Sequence, residues 1–203
     1  EMDALNLLYD RQRKQYQIAR QNVQIINRKC HELKVQIADL RRLQPDEAAT
    51  QSLDEAEQAA RMYDANAATG NEVLDVVLTE KSLLCEAQRI RLNCVADGTC
   101  LAAIEPGDLY ALFSNLLDQA IDAAAQQQND RRMIDLLVCR RQGFAVINVI
   151  GPALSGSQSD HGRRHSYELK VARRVVQKYS GTMATEPRGE LFAVKIVLPL
   201  TRG

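Results

Sequence analysis

From Met2 to Leu40, apolar side chains recur at alternating steps of three and four residues. The register runs Met2, Leu5, Tyr9, Tyr16, Ala19, Val23, Ile26, Cys30, Leu33, Ile37 and Leu40, with Gln12 as its one polar member. Such a repeat places every member on one narrow stripe of a helix, the seam of a coiled coil. No glycine or proline breaks it before Pro45, and most remaining positions are Gln, Arg, Lys or Asn. One long helix with a single sticky stripe is predicted. Its alternative is an amphipathic helix packed inside one domain.

A second 3-4 run follows "QPDEAATQ": Leu53, Ala56, Ala60, Tyr63 and Ala67. Together the two runs predict a helical hairpin over residues 1–69. A hairpin cannot cover its own seam, so two copies are expected to form a homodimer, a four-helix bundle. "TGN" at 69–71 ends the pattern, and a domain boundary is placed near Gly70.

Residues 70–203 mix helical and strand patterns. "EVLDVVLTEKSLLCEAQRI" and "EPGDLYALFSNLLDQAIDAAAQQQ" read as helices, the second with Asp108 placed to cap it. "RLNCVAD" is a candidate strand. "RRMIDLLVCRR" and "FAVINVI" read as strands joined near Gln142–Gly143. "GPALSGSQSDHGRR" reads as a loop. "HSYELKVARRVVQKYSG" is a helix stopped by Gly181. "TMATE" and "ELFAVKIVLPL" are strands around a turn at Pro187-Arg188-Gly189. The predicted class is α+β: a coiled-coil hairpin, then an α/β sandwich with a mixed, mostly antiparallel sheet covered by helices on one side.

Formal net charge is +0, so bulk charge gives no argument for nucleic acid or an anionic membrane. No apolar run nears the roughly 18 residues of a membrane span, so no membrane contact is expected within the chain. The five cysteines show no C-x-x-C spacing, which fits reduced thiols and a cytoplasmic location better than a disulfide framework.

His31 follows a seam position and therefore points outward. Arg28 and Lys34 lie one turn away on either side, a cationic collar suited to a phosphoryl group or an acidic partner. Glu32 is placed to orient the imidazole and to stabilise positive charge on it during attack. Taken alone, the stretch reads more readily as a solvated helix face.

"KCHELKVQIADL" on such a hairpin resembles the phosphoacceptor box of bacterial sensor histidine kinases, nearest to peptide-quorum-sensing receptor kinases. "LYALFSNLLDQAIDAA" resembles the N-box helix of their GHKL ATPase domain. "RHSYELKVARRVVQKYSGTM" with "FAVKIVLPL" resembles the closing helix and strands. The resemblance spans nearly the whole chain. It implies ATP and Mg²⁺ as cofactors, His31 as phosphoacceptor, a membrane sensor upstream of Glu1, and a response regulator receiver domain as partner, docking near Arg28 and Lys34. It also implies nucleotide contacts at Asn115, Gln119, Asn148 and Ser166, with Asn115 and Gln119 toward Mg²⁺.

Against that pattern, Gln119 stands where a shorter Asn is usual, and magnesium tolerates little misplacement. Asn148 fits the adenine-reading position, though an Asn at a strand end is also a common turn former. "HSYEL" lacks both glycines of the phosphate-binding element. Glu168 puts a carboxylate where phosphate oxygens approach, a repulsion of about 4 kcal/mol at about 4 Å. Weakened or lost ATP binding is expected. Three functions remain open: an active kinase, a non-enzymatic pseudokinase dimer, and a phosphotransferase that takes phosphate from a regulator.

Overall fold

The computed structural model describes residues 2–43, 68–128, 131–153 and 160–200. Helix α1 spans Met2–Leu43 without a break. At 1.5 Å per residue it is about 60 Å long. Its seam is buried at Ala19, Val23, Cys30 and Ile37, whereas Leu33 and Leu40 are 49% and 50% exposed. The predicted second helix of the hairpin lies outside the described residues.

The expected boundary at "TGN" is a small knot. The Thr69 amide and hydroxyl both donate to Asp75 Oδ1, at 2.9 and 2.7 Å. The Gly98 amide donates to the Thr69 carbonyl at 2.8 Å. Gly70 has φ +82, a conformation that glycine takes at no steric cost. Asn71 then caps helix α2 (Glu72–Ala87), its side chain accepting from the amides of Val73 and Leu74.

Strand β1 (Arg91–Ala96) follows, then a 3-10 turn (Gly98–Leu101) and helix α3 (Pro106–Ala125). Pro106 sits at the first helical position, where its missing N–H costs nothing. Asp108 does not cap α3. Its side chain is fully buried and accepts from Lys178 Nζ and the Tyr179 hydroxyl, both at 2.6 Å, because a carboxylate in the core takes the strongest donors within reach.

Strands β2 (Met133–Arg141) and β3 (Phe144–Pro152) form the expected hairpin. Gln142 and Gly143, φ 45 and 83, are the two left-handed residues that such a tight turn requires. Helix α4 runs Asp160–Lys178, so it begins five residues before the predicted start at His165. Its stop also differs: Ser180 carries the positive φ. Gly181 is needed for space, since a Cβ there would sit 2.5 Å from a Leu198 methyl. Strands β4 (Thr182–Arg188) and β5 (Leu191–Pro199) close the chain. Pro187 and Arg188 extend β4 instead of turning, and Gly189 makes the turn. Proline is tolerated there because β4 is an edge strand.

The sheet order is β1-β2-β3-β5-β4, parallel between β1 and β2 and antiparallel elsewhere. Alternate residues such as Ile134, Ile147 and Ile196 face the helices and are fully buried with Leu112, Phe113 and Leu116 of α3. Each such side chain contributes about 1.5–3 kcal/mol by leaving water.

Helices α2 and α3 are also joined by a buried ionic cluster. Lys81, its side chain 6% exposed, reaches Asp118 at 2.7 Å and Glu80 at 3.1 Å. Tyr110 donates to Glu80, and Ser114 to Asp118. Burial pulls the Lys81 pKa down, but the charges of Asp118 and then Glu80 outweigh it, and the net shift is upward. Removing Asp118 leaves Lys81 with Glu80 alone. Asp118→Ala is expected to cost about 1–3 kcal/mol in urea unfolding, less than for a fully buried pair, whereas Lys81→Met with Asp118→Leu should recover most of that loss.

Candidate functional site

The residues singled out from the sequence fall into two places. His31 lies exposed on α1, as its register predicts. Arg28 and Lys34 flank it one turn below and above, the first exposed and the second half-buried. Glu32 is engaged by its basic neighbours. It accepts from Lys29 Nζ at 2.8 Å and lies 3.9 Å from Arg28 Nε. The Lys29 hydrogen bond and charge, with Arg28 adding to them, hold its pKa below the usual carboxylate value. Lys29 was not singled out, yet its position three residues before Glu32 marked it as the natural helical partner.

The second place is a cavity of about 230 Å³ between α3 and the helix-facing side of the sheet. It exists because small residues meet there. Ala120 and Ala123 on α3 face Gly151 on β3, so none of the described side chains fills the gap above Val149 and Phe192. A Cβ on Gly151 would lie 3.6 Å from that of Ala120, an ordinary contact. Gln119 is the one polar side chain among the described lining residues. It is 4% exposed, and its Oε1 is buried with no hydrogen-bond partner. These small positions were missed from the sequence, although alanines three apart on an apolar helix opposite a strand glycine could have signalled the gap.

The other predicted nucleotide residues do not converge there. Asn115 is one turn before Gln119 and equally buried, but its amide donates back to the Ala111 carbonyl. Asn148 alternates with the buried row Ala145, Ile147 and Val149, so it lies on the opposite face of the sheet, beside Lys195 and Leu137. Ser166 lies within α4, six residues after its start. Its side chain, like those of His165 and Glu168, falls outside the described residues. Backbone amides that deep in a helix are spent on carbonyls four residues earlier, and only the first four are free.

A magnesium-bound triphosphate was tested against these groups. The described lining offers one amide oxygen, no carboxylate and no cation. Asp118, the nearest carboxylate by sequence, is tied to Lys81. Among the described residues no cluster of three or more His, Cys, Asp or Glu side chains could hold a metal ion. The described residues do not fit that group. A second cavity of about 400 Å³ adjoins the first across Gly151 and Pro152, with the Arg131–Glu190 pair at 2.6 Å on its rim.

Residues 104–199 match the family profile described as the GHKL domain. No curated protein matches the sequence. Among solved structures, the chain is similar to the catalytic domain of histidine kinase ThkA: 14% identity, 64% of this chain and 90% of that one, TM-score 0.48. It is similar to Acinetobacter baumannii histidine kinase AdeS at 14% identity, covering 85% and 98%, TM-score 0.47. The histidine kinase domain of Erythrobacter litoralis EL346 blue-light activated histidine kinase gives 15% identity, 89% and 95%, TM-score 0.43. No helix among the described residues is long and apolar enough to cross a membrane. The profile match falls on the helix-and-sheet unit behind the long N-terminal helix, and residues 104–199 carry a GHKL domain.

Proposed function

We propose that this chain is the cytoplasmic signalling region of a two-component sensor histidine kinase, a homodimer with His31 as phosphoacceptor and with weakened ATP binding. The observation that carries the reading is an exposed His31 between Arg28 and Lys34, on a chain with a GHKL domain. A neutral imidazole nitrogen attacks phosphorus with its lone pair, the P–O bond to the donor breaks so that ADP leaves from ATP, and the collar offsets charge on the phosphoryl oxygens. The phosphoryl group then passes to an aspartate of a response regulator. Glu32 acts on the ring only after leaving Lys29, so its part is secondary to that of the collar.

One observation favours a second reading. The cavity at Gln119 has no described partner for phosphate or magnesium, which suits a phosphotransferase charged by a phosphorylated regulator. A pseudokinase dimer that only binds a regulator or partner kinase shares that feature but has no use for His31.

Calorimetric titration with ATP and Mg²⁺ should show no saturable heat below about 1 mM, an affinity no better than about −4 kcal/mol. Micromolar binding would refute the weakened site. If the cradle is the defect, Gln119→Asn with Ser166→Gly and Glu168→Gly should tighten binding at least about tenfold, or about 1.4 kcal/mol.

His31→Gln should abolish phosphoryl acceptance from a phosphorylated receiver domain, read by phosphate-affinity electrophoresis. Unchanged acceptance would remove His31 from the site. Reversing Arg28 and Lys34 to Glu should remove receiver binding while leaving the fold intact, since Arg28 is exposed and Lys34 half-buried.

A further inference from the structure

The cavity of about 230 Å³ at Gln119 has a definite shape. Its floor is sheet: Val149 pairs with Val194, and Gly151 with Phe192, across β3 and β5. Its roof is α3, where Leu116, Ala120 and Ala123 follow at steps of four and three and share one face. Leu116, Ala123, Val149 and Val194 are each at most 3% exposed, so these walls are packed from behind. A helix face of small residues over a flat stretch of sheet makes a slot.

Into this slot the described side chains put a single polar group. Gln119 is 4% exposed, and its Oε1 has no partner. A buried carbonyl oxygen left unpaired is costly, and a donor on a ligand removes that cost. Water answers poorly, because it needs two to four polar partners and the described side chains offer one. An anion answers no better. The one cation among the described residues of the adjoining cavity, Arg131, is held by Glu190 at 2.6 Å. An apolar body suits the remaining surface. Apolar protein cavities of about 150 Å³ admit benzene, and this one is larger.

We propose that this cavity binds a small uncharged molecule with a flat apolar ring and one N–H donor, which hydrogen-bonds Gln119 Oε1. Ala120, Ala123 and Gly151 set the size of the ring, and Gln119 sets its orientation. The inference deepens the weakened ATP site of the proposed function and rests on it. The space that offers a magnesium triphosphate no counter-charge takes a neutral ring instead.

Indole is the probe. The chain has no tryptophan, so the fluorescence of added indole reports the surroundings of the indole itself. Titrated with the full chain, its emission should shift to the blue and saturate below about 1 mM. Indene, the same shape without the N–H, should displace it only at concentrations at least about tenfold higher. Gln119→Leu should erase that preference. Ala123→Leu should abolish indole binding. Gly151→Ala, whose Cβ meets that of Ala120 at 3.6 Å, an ordinary contact, should weaken binding too and guards against a folding defect in the bulkier variant. No saturable shift, equal binding of indene, a preference that survives Gln119→Leu, or binding unchanged in both filling variants overturns the neutral-ligand site and leaves the weakened ATP site standing. Micromolar ATP that displaces indole overturns both.

Discussion

Helix α3 has almost no solvent face, and the rest of the structure is arranged around that fact. Sixteen of its twenty residues are buried. The sheet, α4, α2 and α1 each take one side of it. A helix closed in this way cannot leave its polar residues to water, so each must find a partner inside. Asp108 takes Lys178 and Tyr179, Tyr110 takes Glu80, and Asp118 takes Lys81. Asn115 falls back on its own helix. Gln119 Oε1 and the second oxygen of Asp108 are left over among the described residues. The same constraint that builds the core therefore marks the one position where an amide faces an apolar gap.

Patterns with a local cause were legible in the sequence. The unbroken helix α1 and the Gln142–Gly143 turn each follow from neighbours within a few residues. What was not legible depends on distant neighbours. Pro187 reads as a turn former until β4 proves to be the sheet edge. Gly181 reads as a helix stop until Leu198 is found against it. Asp108 reads as a cap because nothing local announces Lys178, seventy residues on.

The candidate site divides the same way. His31 could be placed outward from its register alone. Asn148 could not, because family resemblance supplies a position but the face of a strand is set by its partners. β3 pairs on both sides, and Ile147 and Val149 claim the helix-facing side, so Asn148 takes the other. The start of α4 was missed for a related reason. "SDHGRR" contains one glycine, and a single glycine costs a helix only about 1 kcal/mol, less than the apolar face of Val171, Ala172, Val175 and Val176 returns by packing.

That early start bears on the chemistry of the whole domain. A phosphate cradle needs free amides at a helix N-terminus, with glycines that let phosphate approach. Extending α4 back to Asp160 moves the free amides five residues upstream of His165. Ser166 and Glu168 then belong to a helix wall, and their backbone has nothing left to donate. The absence of glycine from "HSYEL" and the length of α4 agree, since residues other than glycine favour the helical conformation that consumes the amides.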